Sequence, residues 1–439
     1  MTFLMGQAHE PFQEREELSG TQRRSENRAA IVSYFESGIK ERGEALGIEL
    51  ERILVRHITD ENGDDSLVPV PYSGDLGVAW LLDRLRSWYP DASYDAEGDL
   101  LGVARPGESV TIEPAAQVEL SAGPFIDLRA AQHCFEQFQR LLESILAPHG
   151  IEALTVGYNP IAAARDLELI PKERYTYMDR WFQRISDFGM TMMRGSASTQ
   201  VSIDYTSEDD CLRKMRVAFA LTPLFALICD NSAIFEGAPR EHELVRTEIW
   251  EFCDPARCGV VPGILDASFT WEDYADHILD TPAILIPNET GRAHYEERTF
   301  GEVFAHTVMT RADVEHAVSM FFNDVRLKTY IEIRPADSMP VPYVIAYAAL
   351  IRGLFYDEAN LVRLEERYAS VTEEDLAEAK HSLMAHGYAG EVYGRPADEE
   401  AQRLIDLAEA SLSAEDRALL APLADLVRSR RTFVTRDQR

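Results

Sequence analysis

Gly47-Ile48-Glu49-Leu50-Glu51-Arg52-Ile53-Leu54-Val55 is the stretch from which the rest of the chain is read. Side chains two apart on a strand share a face, so a strand here sets Glu49 and Glu51 opposite Ile48 and Leu50. Three later segments repeat the device. In residues 113–121, Gln117, Glu119 and Ser121 alternate with Val118 and Leu120. In residues 199–205, Gln200, Ser202 and Asp204 alternate with Val201 and Ile203. In residues 326–334, Arg326, Lys328, Tyr330, Glu332 and Arg334 alternate with Leu327, Thr329, Ile331 and Ile333, which reads as a fourth strand.

A half-buried antiparallel sheet with one wet face would alternate in the same way. The composition of the polar face goes further. It is almost all acids and carboxamides in three segments, and cations around one acid in the fourth. Like charges side by side repel, and magnesium ions would remove that cost, because Mg²⁺ takes carboxylate and phosphate oxygens. Clustered acids also serve aspartic-protease-like and glycosidase-like chemistry, but those need two acids and no basic row. Acids beside a basic row suit nucleotide phosphates better.

Around these segments the pattern interleaves helices with strands, without regular glycine-rich βαβ units, and predicts an α+β fold with an antiparallel sheet. Residues 1–25 read as a frayed polar lead-in, and residues 26–439 as a single catalytic domain whose portion from about 343 is mostly helical. Ile31, Val32, Tyr34, Phe35 and Ile39 predict a helix over 25–45. Pro106-Gly107 marks a turn between two strands. Tyr175, Met178, Trp181, Phe182 and Ile185 recur at helical spacing, and a long apolar helix is expected over 208–229.

The chain has 439 residues and a formal net charge of −32, a field that repels nucleic acid and anionic membranes. The sequence shows no run of about 18 apolar residues and no secretory pattern at its start, so a cytoplasmic location is expected. Five cysteines, odd in number, fit reduced thiols better than a disulfide framework. His242 and His277 read as satisfied histidines, and Cys134, Cys211 and Cys229 as packing residues on apolar helix faces.

The segments resemble the plant-type and bacterial glutamate–cysteine ligases, members of the carboxylate–amine ligase group. The resemblance rests on Gly47-Ile48-Glu49-Leu50-Glu51, on Glu113-Pro114-Ala115-Ala116-Gln117-Val118-Glu119-Leu120-Ser121 and on Pro171-Lys172-Glu173-Arg174-Tyr175. It continues through Met192-Met193-Arg194, Gln200-Val201, Asn231-Ser232 to Glu236-Gly237, Arg246-Thr247-Glu248-Ile249-Trp250, and residues 326–334. It implies a glutamine-synthetase-like fold, a curved antiparallel sheet flanked by helices and forming an active-site funnel. It implies an ATP-dependent ligase that makes γ-glutamylcysteine from glutamate and cysteine through a γ-glutamyl phosphate, a step of glutathione biosynthesis.

By the same resemblance, Glu49, Glu51, Glu113, Glu119 and Glu332 would ligate magnesium. Arg326, Lys328, Gln117 and Gln200 would hold ATP. Arg246, Trp250 and Arg194 would bind substrate, with Arg246, Lys172 and Arg334 catalytic. Three departures stand out: Ala115-Ala116 replaces a Gly-Gly pair, Ser202 replaces an Asn, and Pro335-Ala336-Asp337-Ser338-Met339 replaces a Gly-Ala-Asp-Gly-Gly run. Alanine at 115–116 implies a relaxed version of that loop. The departures leave open a different amine acceptor, or an acidic binding protein that keeps the fold without catalysis.

Overall fold

In a computed structural model of the chain, residues 12–59, 62–288 and 292–436 are described. Among the described residues ten strands form one sheet: β1 (Leu46–Thr59), β2 (Asp65–Pro69), β3 (Asp91–Tyr94), β4 (Leu100–Arg105), β5 (Glu108–Ile112), β6 (Val118–Phe125), β7 (Ile151–Leu154), β8 (Thr199–Ile203), β9 (Val325–Leu327) and β10 (Ile331–Ile333). The order is β9-β10-β8-β1-β6-β5-β4-β3, with β2 and β7 paired to the far part of β1. Every pair is antiparallel.

Register carries the acids to one face. Glu49 stands across from Gln200 and Ser121, and Glu51 across from Glu119. Ser202 faces Glu332, which in turn faces Arg326. Residues 326–334 are therefore a hairpin rather than one strand: β9 and β10 are joined by a turn at 328–330. Both arms keep the period of two, so the basic row still lies on the acid face.

The opposite face is apolar. Ile48, Leu50, Leu120, Val201, Ile331 and Ile333 are at most 1% exposed there. They are covered by helices among α1 (Phe12–Glu36), α2 (Val78–Leu85), α3 (Leu128–Leu146), α4 (Glu173–Ile185), α5 (Gly189–Gly195), α6 (Glu208–Ile228), α7 (Val245–Glu251), α8 (Trp271–Asp280) and α9 (Val341–Phe355). The sheet's cover comes chiefly from α2, α3, α6 and α9. Helices α6 and α9 are buried almost all round, as a helix hydrophobic on every side must be. Beyond α9 the chain is predominantly helical.

The lead-in differs from expectation. Helix α1 begins at Phe12, and Arg24 and Arg28 dock it on Asp276 and Asp280 of α8 at 2.7–2.9 Å. Residues 1–11 lie outside the described residues. The helix also stops at Glu36, leaving Ile39 exposed. None of the five cysteines is in a disulfide, and four of them are buried.

Candidate active site

A cavity of about 290 Å³ opens on the polar face of the sheet. Strand β1 supplies Glu49 and Glu51, β6 supplies Glu119, β8 supplies Gln200, and the hairpin supplies Arg326, Lys328 and Arg334. Helix α7 adds Arg246 and Trp250, four apart and hence on one helix face. The turn before β6 adds Glu113 and Gln117, and the entry to α4 adds Lys172, Arg174 and Tyr175.

The acids divide into two electrostatic groups. Glu51 is pushed up to about 7, first by burial and then by Glu113, against the pull of Arg246 and of hydrogen bonds from Ser198. Burial, then Glu49, Glu113 and Glu51, hold Glu119 well above the usual carboxylate range. Glu49 is also raised, by burial and then Glu332. Across the cavity, burial would raise Glu332 too, but Arg326, Lys328 and Arg334 outweigh it and hold the group well below that range. Its Oε1 accepts from Lys328 at 2.7 Å, and its Oε2 accepts from Arg326 at 2.7 Å and Arg334 at 2.8 Å.

Gln117, Gln200, Glu51 and Arg246 already have work within the protein. Gln117 donates to Ser196 O at 2.9 Å and accepts from Ala115 N at 2.9 Å, so its amide holds the loop before β6. Gln200 donates to Glu51 and Ser198 at 3.2 Å and accepts from Arg334, tying the acids to the basic row. Glu51 accepts from Ser198 N at 2.7 Å and from its hydroxyl at 2.9 Å. Arg246 is held through Nη1, which donates to Ala336 O at 3.0 Å and pairs with Asp337 at 3.3 Å; its Nε is buried without a partner among the described residues.

Two expected residues stand elsewhere. Arg194 does not line the cavity: it clamps Asp179 of α4 at 2.8 Å and donates to Leu167 O at 2.9 Å, so it fixes helix against loop. Glu332 is fully buried, is not among the residues lining the cavity, and pairs with Arg326, Lys328 and Arg334. Among the described residues no group of three or more His, Cys, Asp or Glu is already gathered around a single point for a metal.

The loop before β6 also departs from expectation. Ala116 is buried at φ +66°, so alanine adopts the left-handed backbone that glycine favours, and the loop is not relaxed. Sequence reasoning passed over Arg174, whose guanidinium donates to Ser319 Oγ at 2.9 Å, and Ser198 and Asp337, which hold Glu51 and Arg246. Arg174 lies inside the quoted 171–175 element and could have been found there. Asp337 is also the acid kept in the altered 335–339 run, while Ser198 gave no signal. His242 is bonded to Glu248 at 2.8 Å, and burial lowers His277 to about 4.

The described acids fit a hard divalent cation. Glu49, Glu51, Glu113 and Glu119 line one cavity, and Glu49, Glu51 and Glu119 are raised first by burial and then by neighbouring carboxylates, whose negative charge a cation would neutralise. A second cavity, of about 690 Å³, lies on the same sheet face and shares Glu49 with the first. Gly47, Ser121, Ser202, Arg105 and Tyr330 are among its walls.

Comparison with known proteins follows the same outline. The family model of glutamate-cysteine ligase family 2 matches residues 45–431. The chain is 29% identical to the chloroplastic glutamate–cysteine ligase of Medicago truncatula over 413 residues, 91% of this chain and 79% of that one. It is 32% identical to the chloroplastic enzyme of Arabidopsis thaliana over 345 residues, 76% of this chain and 64% of that one. A crystal structure of a glutamate–cysteine ligase from Francisella tularensis, in complex with AMP, superposes with TM-score 0.50 at 11% identity, covering 89% of this chain and 82% of that one.

Proposed function

This chain belongs to glutamate–cysteine ligase family 2, and from that premise we propose how its cavity joins glutamate to cysteine with ATP. The observation that carries the reading is one sheet face on which four acids and a row of cations surround a single cavity. A carboxylate is a poor electrophile. In the first step a γ-carboxylate oxygen of glutamate attacks the terminal phosphorus of ATP, and ADP leaves. In the second the amine of cysteine attacks the acyl carbon of the γ-glutamyl phosphate; phosphate leaves and γ-glutamylcysteine remains.

The residues divide the labour. Arg246 and Trp250 form the wall for the amino-acid substrate, Arg246 being pre-set by Ala336 O and Asp337. Lys172, Arg174, Arg326, Lys328 and Arg334 offer positive charge to the phosphoryl group in transit. Ordering the reactants in one cavity removes an entropic barrier of about 7–11 kcal/mol in favourable cases. Glu49, Glu51, Glu113 and Glu119 would hold magnesium, which supplies charge neutralisation on the phosphates when bound. The second cavity, reached past Glu49, is the place for the nucleotide's remaining body.

The test is ADP release by the purified chain with Mg²⁺ and ATP, with and without glutamate, across a panel of amines. Release that requires glutamate and cysteine together is expected. Release with glutamate and a non-thiol amine well above cysteine would replace the acceptor. The reading fails if no condition releases ADP.

A further inference from the structure

The polar face of the sheet changes character along its strands. Beside the reaction cavity it presents Glu49, Glu119 and Gln200. Two residues further along the same strands it presents Gly47, Ser121 and Ser202, and β5 adds Ser109 directly across from Ser121. Long acids and amides give way to a floor of small residues. The space left above that floor is the second cavity, of about 690 Å³. Residues this small let a ligand come down close to the backbone.

One polar group on the floor is unpaired. Ser202 is 8% exposed and stands directly across from Gly47. A Cβ built on Gly47 would lie 3.3 Å from the Cβ of Ser202 and 3.8 Å from its Oγ. The serine side chain therefore rises from the same face as Glu49 and Gln200, into the cavity that it lines. Its hydroxyl makes no hydrogen bond among the described residues, yet the oxygen is not sealed from open space as the buried unpaired atoms are. The neighbouring Ser121 hydroxyl, by contrast, is taken by Glu119 at 2.9 Å. Polar side chains this buried ordinarily have a partner, so a ligand that supplies one is favoured here. Ser202 also stands where the family pattern has Asn, and its shorter side chain leaves room above the floor.

Resting on the reading that the body of the nucleotide enters this cavity, we propose that the Ser202 hydroxyl hydrogen-bonds one ribose hydroxyl. The residue thereby sets the preference for a ribonucleotide over a deoxyribonucleotide. Two residues of strand span about 7 Å, comparable to the reach from a metal-bound phosphate to the sugar it carries. The cations suited to phosphate, Lys172, Arg326 and Lys328, line the first cavity, whereas Ser202 lines only the second. What lies over Ser202 is thus the part of the nucleotide beyond its phosphates. Serine and ribose hydroxyls each donate and accept, so the pair is satisfied whichever of them gives the proton.

Initial rates of ADP release by the full chain, with glutamate and cysteine saturating, test this using ATP, 2′-deoxy-ATP and 3′-deoxy-ATP. One of the two analogues should show a KM about three- to tenfold above that of ATP, the worth of one neutral hydrogen bond. Ser202→Ala should raise the KM for ATP by the same factor and leave that analogue's KM where it was, the loss falling on KM rather than kcat. Equal KM values for ATP and both analogues in the unmodified chain would overturn the proposal before any variant is made. So would an unchanged KM for ATP in Ser202→Ala, or an equal rise for ATP and both analogues, which would make the residue merely structural. Ser109→Trp, which fills the second cavity from β5, separates this proposal from the reading beneath it. An unchanged KM for ATP in that variant would put the nucleotide elsewhere, and both would fall. A raised KM there, without coupling between Ser202 and either ribose hydroxyl, would overturn the proposal alone.

Discussion

The two halves of the reaction cavity are built on opposite electrostatic plans. In the half made by β1, β6 and the turn before β6, acids face one another, and Glu49, Glu51 and Glu119 are held above their ordinary range. In the hairpin half, one acid meets three cations, and Glu332 is held far below that range. The first half is short of positive charge, whereas in the second three cations outnumber their one acid and leave it net positive. On the proposed reading, substrate and cation would complete the acid half, whereas Glu332 holds Arg326, Lys328 and Arg334 together.

Removing the counter-ion should break this contrast most severely. Glu332→Gln strands Arg326, Lys328 and Arg334 in a buried place, and loss of about 3–5 kcal/mol is expected in chemical denaturation. Little change in denaturation midpoint would mean that the three cations do not depend on Glu332.

The acid half should respond with the opposite sign. Glu51 rises from its ordinary 4.5 to about 7 in the fold. A folded-state pKa raised in this way favours the fold at low pH, and the advantage is lost as pH climbs from about 4.5 through about 7. The wild type should therefore lose stability relative to Glu51→Gln over that window, by on the order of 3 kcal/mol in full. Added Mg²⁺ should restore the wild type at pH 8 and not the variant. Parallel curves for the two proteins would remove the repulsion from the account.

Glu119→Gln sharpens the comparison through turnover. It should cut ADP release by about a hundredfold, about 2.7 kcal/mol of barrier, while the thermal midpoint stays level or rises. A fall in both would assign Glu119 to holding the fold. The smallest effect belongs to the loop that carries Glu113. Ala116→Gly relieves a left-handed alanine at φ +66°, and a change within about 1 kcal/mol in stability is expected. A large loss of activity with intact folding would show that the methyl group itself shapes the cavity.

Much of this face was legible because strand alternation is written directly into residue order. Glu49, Glu51, Glu119 and Gln200 could be placed on one face from spacing alone. The hairpin was not legible as such: alternation persists through a short turn when both arms keep the same face, so residues 326–334 read as one strand. What each polar group touches was also hidden. Arg194 meets Asp179 fifteen positions earlier, through the packing of α4 against α5, and no local pattern encodes that meeting. Glu332 looked like the other acids in composition, and only its register opposite Arg326 shows that it belongs with the cations. Arg52 sat inside the first quoted segment and drew no notice, because one arginine among aliphatic neighbours carries no charge pattern.

Strand β1 turns consecutive residues, Glu51 and Arg52, to opposite sides of the sheet, one into the reaction cavity and the other into the buried packing against Phe138. That arrangement limits the routes by which the gene can change. Substitution can tune either side independently, but loss or gain of a single codon upstream within the strand would turn every later side chain to the other face. Arginine would then enter the reaction cavity and glutamate the packed interior, spoiling the site and the core in one event. The length of this strand is thus expected to be the most slowly drifting quantity in the lineage, more constant than the identity of any residue on its aliphatic side.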